Sequence, residues 1–113
     1  MIENIEKEWR ERVVKNNLDL IVLRLLQSKP QWGYEVNNAI RDKFHVYLSA
    51  GTLYPLLHSL EEEGYLEGEW QSESGRGRRI YKITEGGINF LEAGEKATVE
   101  LARLIKSQAQ ELK

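Results

Sequence analysis

The feature that most limits how this chain can fold is a change of hydrophobic period near residue 65. Upstream of it, apolar residues recur at helical spacing. Leu18, Ile21, Val22 and Leu25 fall at i, i+3, i+4 and i+7, which is one face of an α-helix. Ser28-Lys29-Pro30 stops that run, because proline restricts the residue before it to extended backbone. A second helix, roughly Gly33 to Phe44, turns Val36, Ile40 and Phe44 inward. His45-Val46-Tyr47-Leu48 reads as a short strand. The cleanest stripe follows in Leu53, Leu56, Leu57 and Leu60. Ser49 or Thr52 can cap this third helix, and Gly64 supplies the left-handed stop. A start at Thr52 would put Pro55 harmlessly in the first turn, whereas a start at Ser49 predicts a kink.

Beyond residue 65 the period falls to two. Tyr65 to Gln71 alternates, with Leu66 and Trp70 on one side and Glu67 and Glu69 on the other. Arg78 to Thr84 alternates again, with Tyr81 and Ile83 sharing a face. Two such runs around a Ser/Gly-rich tip form a β-hairpin. Thr84 can then cap a long last helix. The predicted fold class is mostly α with a small β-hairpin wing: a winged helix-turn-helix flanked by N- and C-terminal dimerisation helices. Three segments follow: an N-terminal helix over 1–16, the winged domain over 17–84 and a C-terminal helix over 85–113. In this fold the third helix enters the major groove and the hairpin reaches flanking backbone, although winged helices also serve as protein-binding modules.

The first segment is laced with acid–base pairs four residues apart: Glu3/Lys7, Glu6/Arg10, Glu8/Arg12 and Glu11/Lys15, the acid leading in each. Beside them run Ile2, Ile5, Trp9 and Val13, either the greasy edge of a solvated helix or a surface for a second subunit. The chain has 113 residues and no cysteine, which excludes disulfides and thiolate metal sites and predicts a reducing, cytoplasmic setting. Its opening residues are acidic and predict no secretory leader. No run approaches the roughly 20 apolar residues of a membrane span. The two histidines, His45 and His58, lie on different elements. With no phosphate loop or nucleophile motif beside them, the reading is of no catalytic site, no metal, no cofactor and no enzyme.

Three motifs in order resemble the PadR family of bacterial and archaeal regulators, across about Leu18 to Leu91. Trp32-Gly33-Tyr34-Glu35 opens the second helix as the family's Gly-Tyr-acid motif does. Gly51-Thr52-Leu53-Tyr54-Pro55-Leu56-Leu57, running on to Gly64-Tyr65-Leu66, is similar to the family's recognition helix. Gly77-Arg78-Arg79-Ile80-Tyr81-Lys82-Ile83-Thr84 is similar to its second wing strand, with Ile80 where an aromatic is common. The resemblance implies a transcriptional repressor on double-stranded DNA, acting as a homodimer whose terminal helices exchange. It also implies a small-molecule effector at the dimer, of unknown identity, for which Trp9, Trp32 and Trp70 are candidate pocket residues or, more simply, core aromatics.

A formal net charge of −2 counts against nucleic acid unless the cations are concentrated. They are concentrated on the wing, where Arg76, Arg78, Arg79 and Lys82 have no acid among them. The candidate DNA contacts are therefore Ser49, Thr52, Tyr54 and His58 on the third helix and Arg76, Arg78 and Lys82 on the wing. Capping would equally explain Ser49 and Thr52, a core edge Tyr54, and pairing with Glu67 and Glu69 the wing cations. Glu61, Glu62 and Glu63 would repel phosphate and are expected to point out of the groove. The candidate dimer residues are Ile2, Ile5 and Trp9 with Leu101, Leu104 and Ile105, on an apolar stripe that also takes in Ile88, Leu91, Ala97 and Leu112. The other reading of that stripe is a last helix folded back on its own domain, bent at its glycines. The rival to a DNA-binding repressor is a protein–protein adaptor, favoured by net acidity.

Overall fold

In a computed structural model, which describes residues 1–71 and 77–111, five helices enclose a small sheet in the order α1 (Ile2–Asn16), α2 (Leu18–Ser28), β1 (Gln31–Trp32), α3 (Gly33–Phe44), α4 (Ala50–Glu62), β2 (Leu66–Gln71), β3 (Arg78–Ile83) and α5 (Glu85–Glu111). The core joins nearly all of them. Val22, Leu23 and Leu26 of α2 meet Val36 and Ile40 of α3, Leu53 and Leu57 of α4, Leu66 of β2, Tyr81 of β3 and Leu91 of α5. The apolar stripes read from the sequence for α2, α3 and α4 are on the buried side, with Ile21, Phe44 and Leu56 packed at the rim.

The sheet has three strands, ordered β1-β3-β2. The hairpin register runs from Leu66 opposite Ile83 to Gln71 opposite Arg78, all antiparallel. On the far edge of β3, Gln31 pairs with Tyr81 and Trp32 with Ile80. Gln31 is buried, and its Nε2 donates to the Leu25 carbonyl at 2.8 Å and the Lys29 carbonyl at 3.3 Å. The residue that follows Pro30 thus starts a strand and satisfies the open end of α2.

The short strand expected over His45–Leu48 is absent. His45 adopts the left-handed conformation at φ 58° and ends α3, its N–H donating to the Arg41 carbonyl. Val46 and Leu48 are buried while Tyr47 is exposed, so the alternation is real but no neighbouring strand accepts it. Asn37 Nδ2 holds the segment instead, donating to the Leu48 carbonyl at 3.3 Å. The four acid–base pairs expected along α1 are also not among the ion pairs of the described residues. Holding two long exposed side chains together gains little over solvation, and Arg12 lies instead over the Trp9 ring, 4.7 Å from its centroid.

Helix α4 starts at Ala50, so Pro55 lies inside it and the Gly51 carbonyl lacks its usual donor. It closes as expected at Gly64, whose φ is +84°. Gly64 N–H donates to the Glu61 carbonyl and Tyr65 N–H to the Leu60 carbonyl, which is the Schellman pattern. At the same junction Thr84 N–H donates to the Tyr65 carbonyl at 3.1 Å. Its hydroxyl donates to the Gly64 carbonyl at 2.6 Å and accepts Gly87 N–H at 3.0 Å, capping α5 as expected. The Tyr65 ring then stacks on Phe90 at 4.2 Å.

Helix α5 runs unbroken through Gly86, Gly87 and Gly94. Its 27 residues span about 40 Å at ~1.5 Å per residue. The radius of gyration is 16.6 Å, against about 13 Å for a compact chain of this length. Its first half packs on the domain, with Leu91 in the core and Glu95 paired with Arg24. From Val99 onward its apolar residues Val99, Leu101, Leu104 and Ile105 are exposed, so that part is not folded back on its own domain.

The α4–β2–α5 junction generates a paired prediction. A methyl at Gly87 would lie 2.2 Å from the Tyr65 carbonyl oxygen, whereas one at Gly86 meets nothing closer than 3.6 Å. Gly87→Ala should cost roughly 1–3 kcal/mol of stability as an overpacked site. Gly86→Ala should be neutral or stabilising by up to about 1 kcal/mol, from helix propensity. Thermal melts of the two variants against wild type check the ordering.

Candidate nucleic-acid interface

Helix α4 presents Gly51, Thr52, Tyr54, Pro55, His58, Ser59 and Glu62 to solvent, the arc opposite its leucines. At its start, Thr52 and Leu53 N–H donate to the Ser49 carbonyl. The Ser49 hydroxyl makes no cap hydrogen bond to the backbone and lies 3.2 Å from the Thr52 hydroxyl instead. Two exposed hydroxyls thus sit side by side at a helix N-terminus with no acid in its first turn. Such an end carries partial positive charge from unpaired N–H groups. Beside it lie Lys15 from the end of α1 and the exposed Tyr47. Sequence reading missed both, placing Lys15 in a helical ion pair and Tyr47 in a strand; only the fold brings α1 to the tip of α4.

Tyr54 is 45% exposed, and its ring lies across the backbone of Gly33 at the start of α3. A methyl on Gly33 would be 2.5 Å from Tyr54 Cε1. One edge is therefore packed between the two helices and the other faces outward. His58 lies farther along α4, its Nε2 2.8 Å from a Glu62 carboxylate oxygen. Of the acidic cluster, Glu62 faces His58 and Glu61 turns away towards the wing.

The wing cations have unlike surroundings. Arg78 lies over the Trp32 ring at 4.4 Å, and Trp32 packs on Tyr34 at 5.1 Å. Lys82 faces its register partner Glu67 at 3.5 Å with both side chains more than half exposed, a pairing that is readily given up. Arg79 is bound to Glu61, which raises its pKa above the ordinary guanidinium value despite partial desolvation. Burial likewise raises the Tyr81 hydroxyl's pKa, against the lowering effect of Arg79. Arg76 lies outside the described residues. The three tryptophans occupy separate surroundings: Trp9 under Arg12 on α1, Trp32 under Arg78, and Trp70 beside Arg79.

The terminal helices expose their apolar residues. On α1 these are Ile2, Ile5, Trp9 and Val13; on α5 they are Val99, Leu101, Leu104 and Ile105. Between the helices an open groove is walled by Val13, Leu20, Ile21, Phe44, Leu91 and Val99. Leu112 falls outside the described residues. Among the described residues, no helix is long and apolar enough to cross a membrane.

Helix-turn-helix α3–α4, backed by α2 and flanked by a three-stranded sheet, defines a winged helix-turn-helix protein. The family model described as "Transcriptional regulator PadR-like family" matches residues 22–93, and the chain belongs to that family. The transcriptional regulator Rv3488 of Mycobacterium tuberculosis is 46% identical over 56 residues; this match spans about half of each chain, 50% here and 52% there. Among solved structures, a PadR family transcriptional regulator from Eggerthella lenta superposes with a TM-score of 0.82 at 26% identity, over 94% of this chain and 93% of its own. A transcriptional regulator from Clostridium thermocellum superposes at 0.78 with 28% identity, over 85% and 96%.

The packing of Tyr54 on Gly33 predicts a coupled pair. Gly33→Ala should destabilise by about 1 kcal/mol while Tyr54 is present, since the ring must leave its seat. In a Tyr54→Ala background the same change should be neutral or slightly stabilising. A double-mutant cycle by chemical denaturation reads the coupling directly.

Proposed function

We propose that this PadR-family regulator is a repressor that binds a pseudo-palindromic operator as a homodimer, with α4 in the major groove and the β2–β3 wing on flanking phosphate. The observation that carries the reading is the pairing of an acid-free, hydroxyl-bearing α4 N-terminus with a wing whose Arg78 and Lys82 are exposed. Small hydroxyl residues at a helix start suit close approach to base edges and phosphate. Ser49, Thr52 and Tyr54 are the reading residues, with His58 at the margin because Glu62 faces it. Arg76, Arg78 and Lys82 supply position rather than sequence. Net acidity is compatible with this because two acids of α4, Glu62 and Glu61, are engaged with His58 and Arg79, while Lys15 lies with Asp19 beside Thr52 at the helix start.

Neutralising only a few phosphates per subunit gives weak monomer binding, so two copies are needed. The exposed stripe of Leu101, Leu104 and Ile105 with Ile2, Ile5 and Trp9 would close against a two-fold partner, the commonest way to bury such a surface. An effector at that interface and a cytoplasmic location belong to the same proposal. The family model and the relatives' names as transcriptional regulators favour this reading over a protein–protein adaptor.

Two measurements test it. Arg76→Ala with Arg78→Ala should weaken binding to all DNA alike and flatten the dependence on salt, leaving sequence preference intact; wild-type affinity in the double mutant removes the wing as a phosphate clamp. Leu101→Asp with Ile105→Asp should yield a monomer or an aggregate that no longer binds the operator. Sedimentation of wild type as a monomer at tens of micromolar, or a double mutant that still dimerises and binds, contradicts the dimer.

A further inference from the structure

Arg79 differs from the other cations of the wing. It extends from β3 across Gly68 of β2, where an added methyl would sit 2.6 Å from its Nε, to reach Glu61 in the last turn of α4. Nε–H donates to one carboxylate oxygen at 3.2 Å, and an Nη2 hydrogen is donated to the other. The Trp70 and Tyr81 rings lie near its guanidinium, with centroids at 5.4 and 5.8 Å. The two side chains are only 26% and 25% exposed, against 55% and 59% for Lys82 and Glu67. A two-point contact of this kind has directional geometry that a single exposed ion pair lacks.

The connectivity shows what such a contact adds. Helix α4 passes into β2 through the turn at Gly64. The hairpin is held at its root by Thr84 and along β3 by the pairing of Ile80 and Tyr81 with β1, but neither of these ties the hairpin to the body of α4. Glu61 lies on the α4 side of the turn and Arg79 well out along β3, opposite Trp70 in the register. Their contact is a side-chain tie from β3 directly to α4, beyond the turn, and it sets the wing against the helix.

We propose that the Arg79–Glu61 pair is a positioning latch between α4 and the wing, so that tight operator binding depends on two groups that do not touch DNA. The inference rests on the DNA-binding reading above. It gives Arg79 the role of a positioning residue and separates it from the phosphate contacts at Arg76, Arg78 and Lys82.

The competing role for Arg79, a direct phosphate contact, predicts the opposite sign in one variant. Glu61→Gln removes a negative charge and frees the guanidinium, so a phosphate-contacting Arg79 would then bind all DNA more tightly. The latch predicts weaker binding. Arg79→Lys keeps the charge but cannot hold the two-point geometry, and should weaken binding as well. Each variant should lose about tenfold in affinity for a fragment selected by the wild type, as expected for a coupling network near a binding site. The double variant should lose no more than either single one. Salt dependence and binding to random-sequence DNA should stay as in wild type, because no phosphate contact is removed.

A readout independent of DNA is the nitrogen-attached proton of Arg79 Nε in NMR. It should exchange slowly in the free wild-type protein, stay in place when DNA is added, and lose its protection in Glu61→Gln. Tighter binding by Glu61→Gln, wild-type affinity in both single variants, or a shift of that proton on adding DNA would overturn the latch. A wild type that selects no DNA sequence overturns the DNA-binding reading instead. The free-protein signal then judges the latch, and an Arg79 proton exchanging as fast in wild type as in Glu61→Gln overturns it.

Discussion

The geometry of this protein depends on two backbone carbonyls, those of Gly64 and Tyr65, which one threonine occupies together. Thr84 donates its hydroxyl hydrogen to the first and its N–H to the second while accepting Gly87 N–H through the same hydroxyl oxygen. Three elements are thereby tied at one point: the end of α4, the root of the wing and the start of α5. The approach is close enough that a Cβ at residue 87 would force the Tyr65 carbonyl to shift. Because α5 leaves from that point and runs unbroken, the direction of the C-terminal helix is fixed relative to the helix proposed to read DNA. In the proposed dimer, a change in how two α5 helices meet would therefore be felt at α4 without any flexible joint between them.

How much of this was legible depends on the range of the interaction that decides each feature. The leucine stripe of α4, the stop at Gly64, the alternation of the hairpin and the cap at Thr84 are set by neighbours a few residues away, and they read correctly from the sequence. Strand β1 did not, because a two-residue strand has no period; Gln31 and Trp32 are extended through pairing with Tyr81 and Ile80. His45–Leu48 failed in the opposite way. It has the alternation of a strand, but His45 turns left-handed and no partner strand comes near.

The candidate interface was legible to the same degree. Alternation placed Arg79 on the Tyr81 side of its strand, yet nothing local named Glu61 as its partner across the wing. Gly68 was a usable signal, since a glycine in mid-strand often marks a close approach. Lys15 and Tyr47 came to the α4 N-terminus only through the packing of α1 and the unpaired segment before α4. The acidic cluster at 61–63 illustrates why a net charge is a poor guide to a surface. Glu61 is turned to Arg79 and Glu62 to His58, and both lie in the last turn of α4, at the opposite end from the helix start that would approach DNA, which carries no acid in its first turn.

The central claim is that two such winged domains, held by their terminal helices, read two half-sites at once. The most direct measurement is to let the purified protein select fragments from its own genome and to sequence what it retains. The account predicts a recurring motif with dyad symmetry, its half-sites centred about one helical turn apart, roughly 10 base pairs, or a multiple of that spacing. Retained fragments with no shared motif, or with a single unpaired half-site, would contradict it.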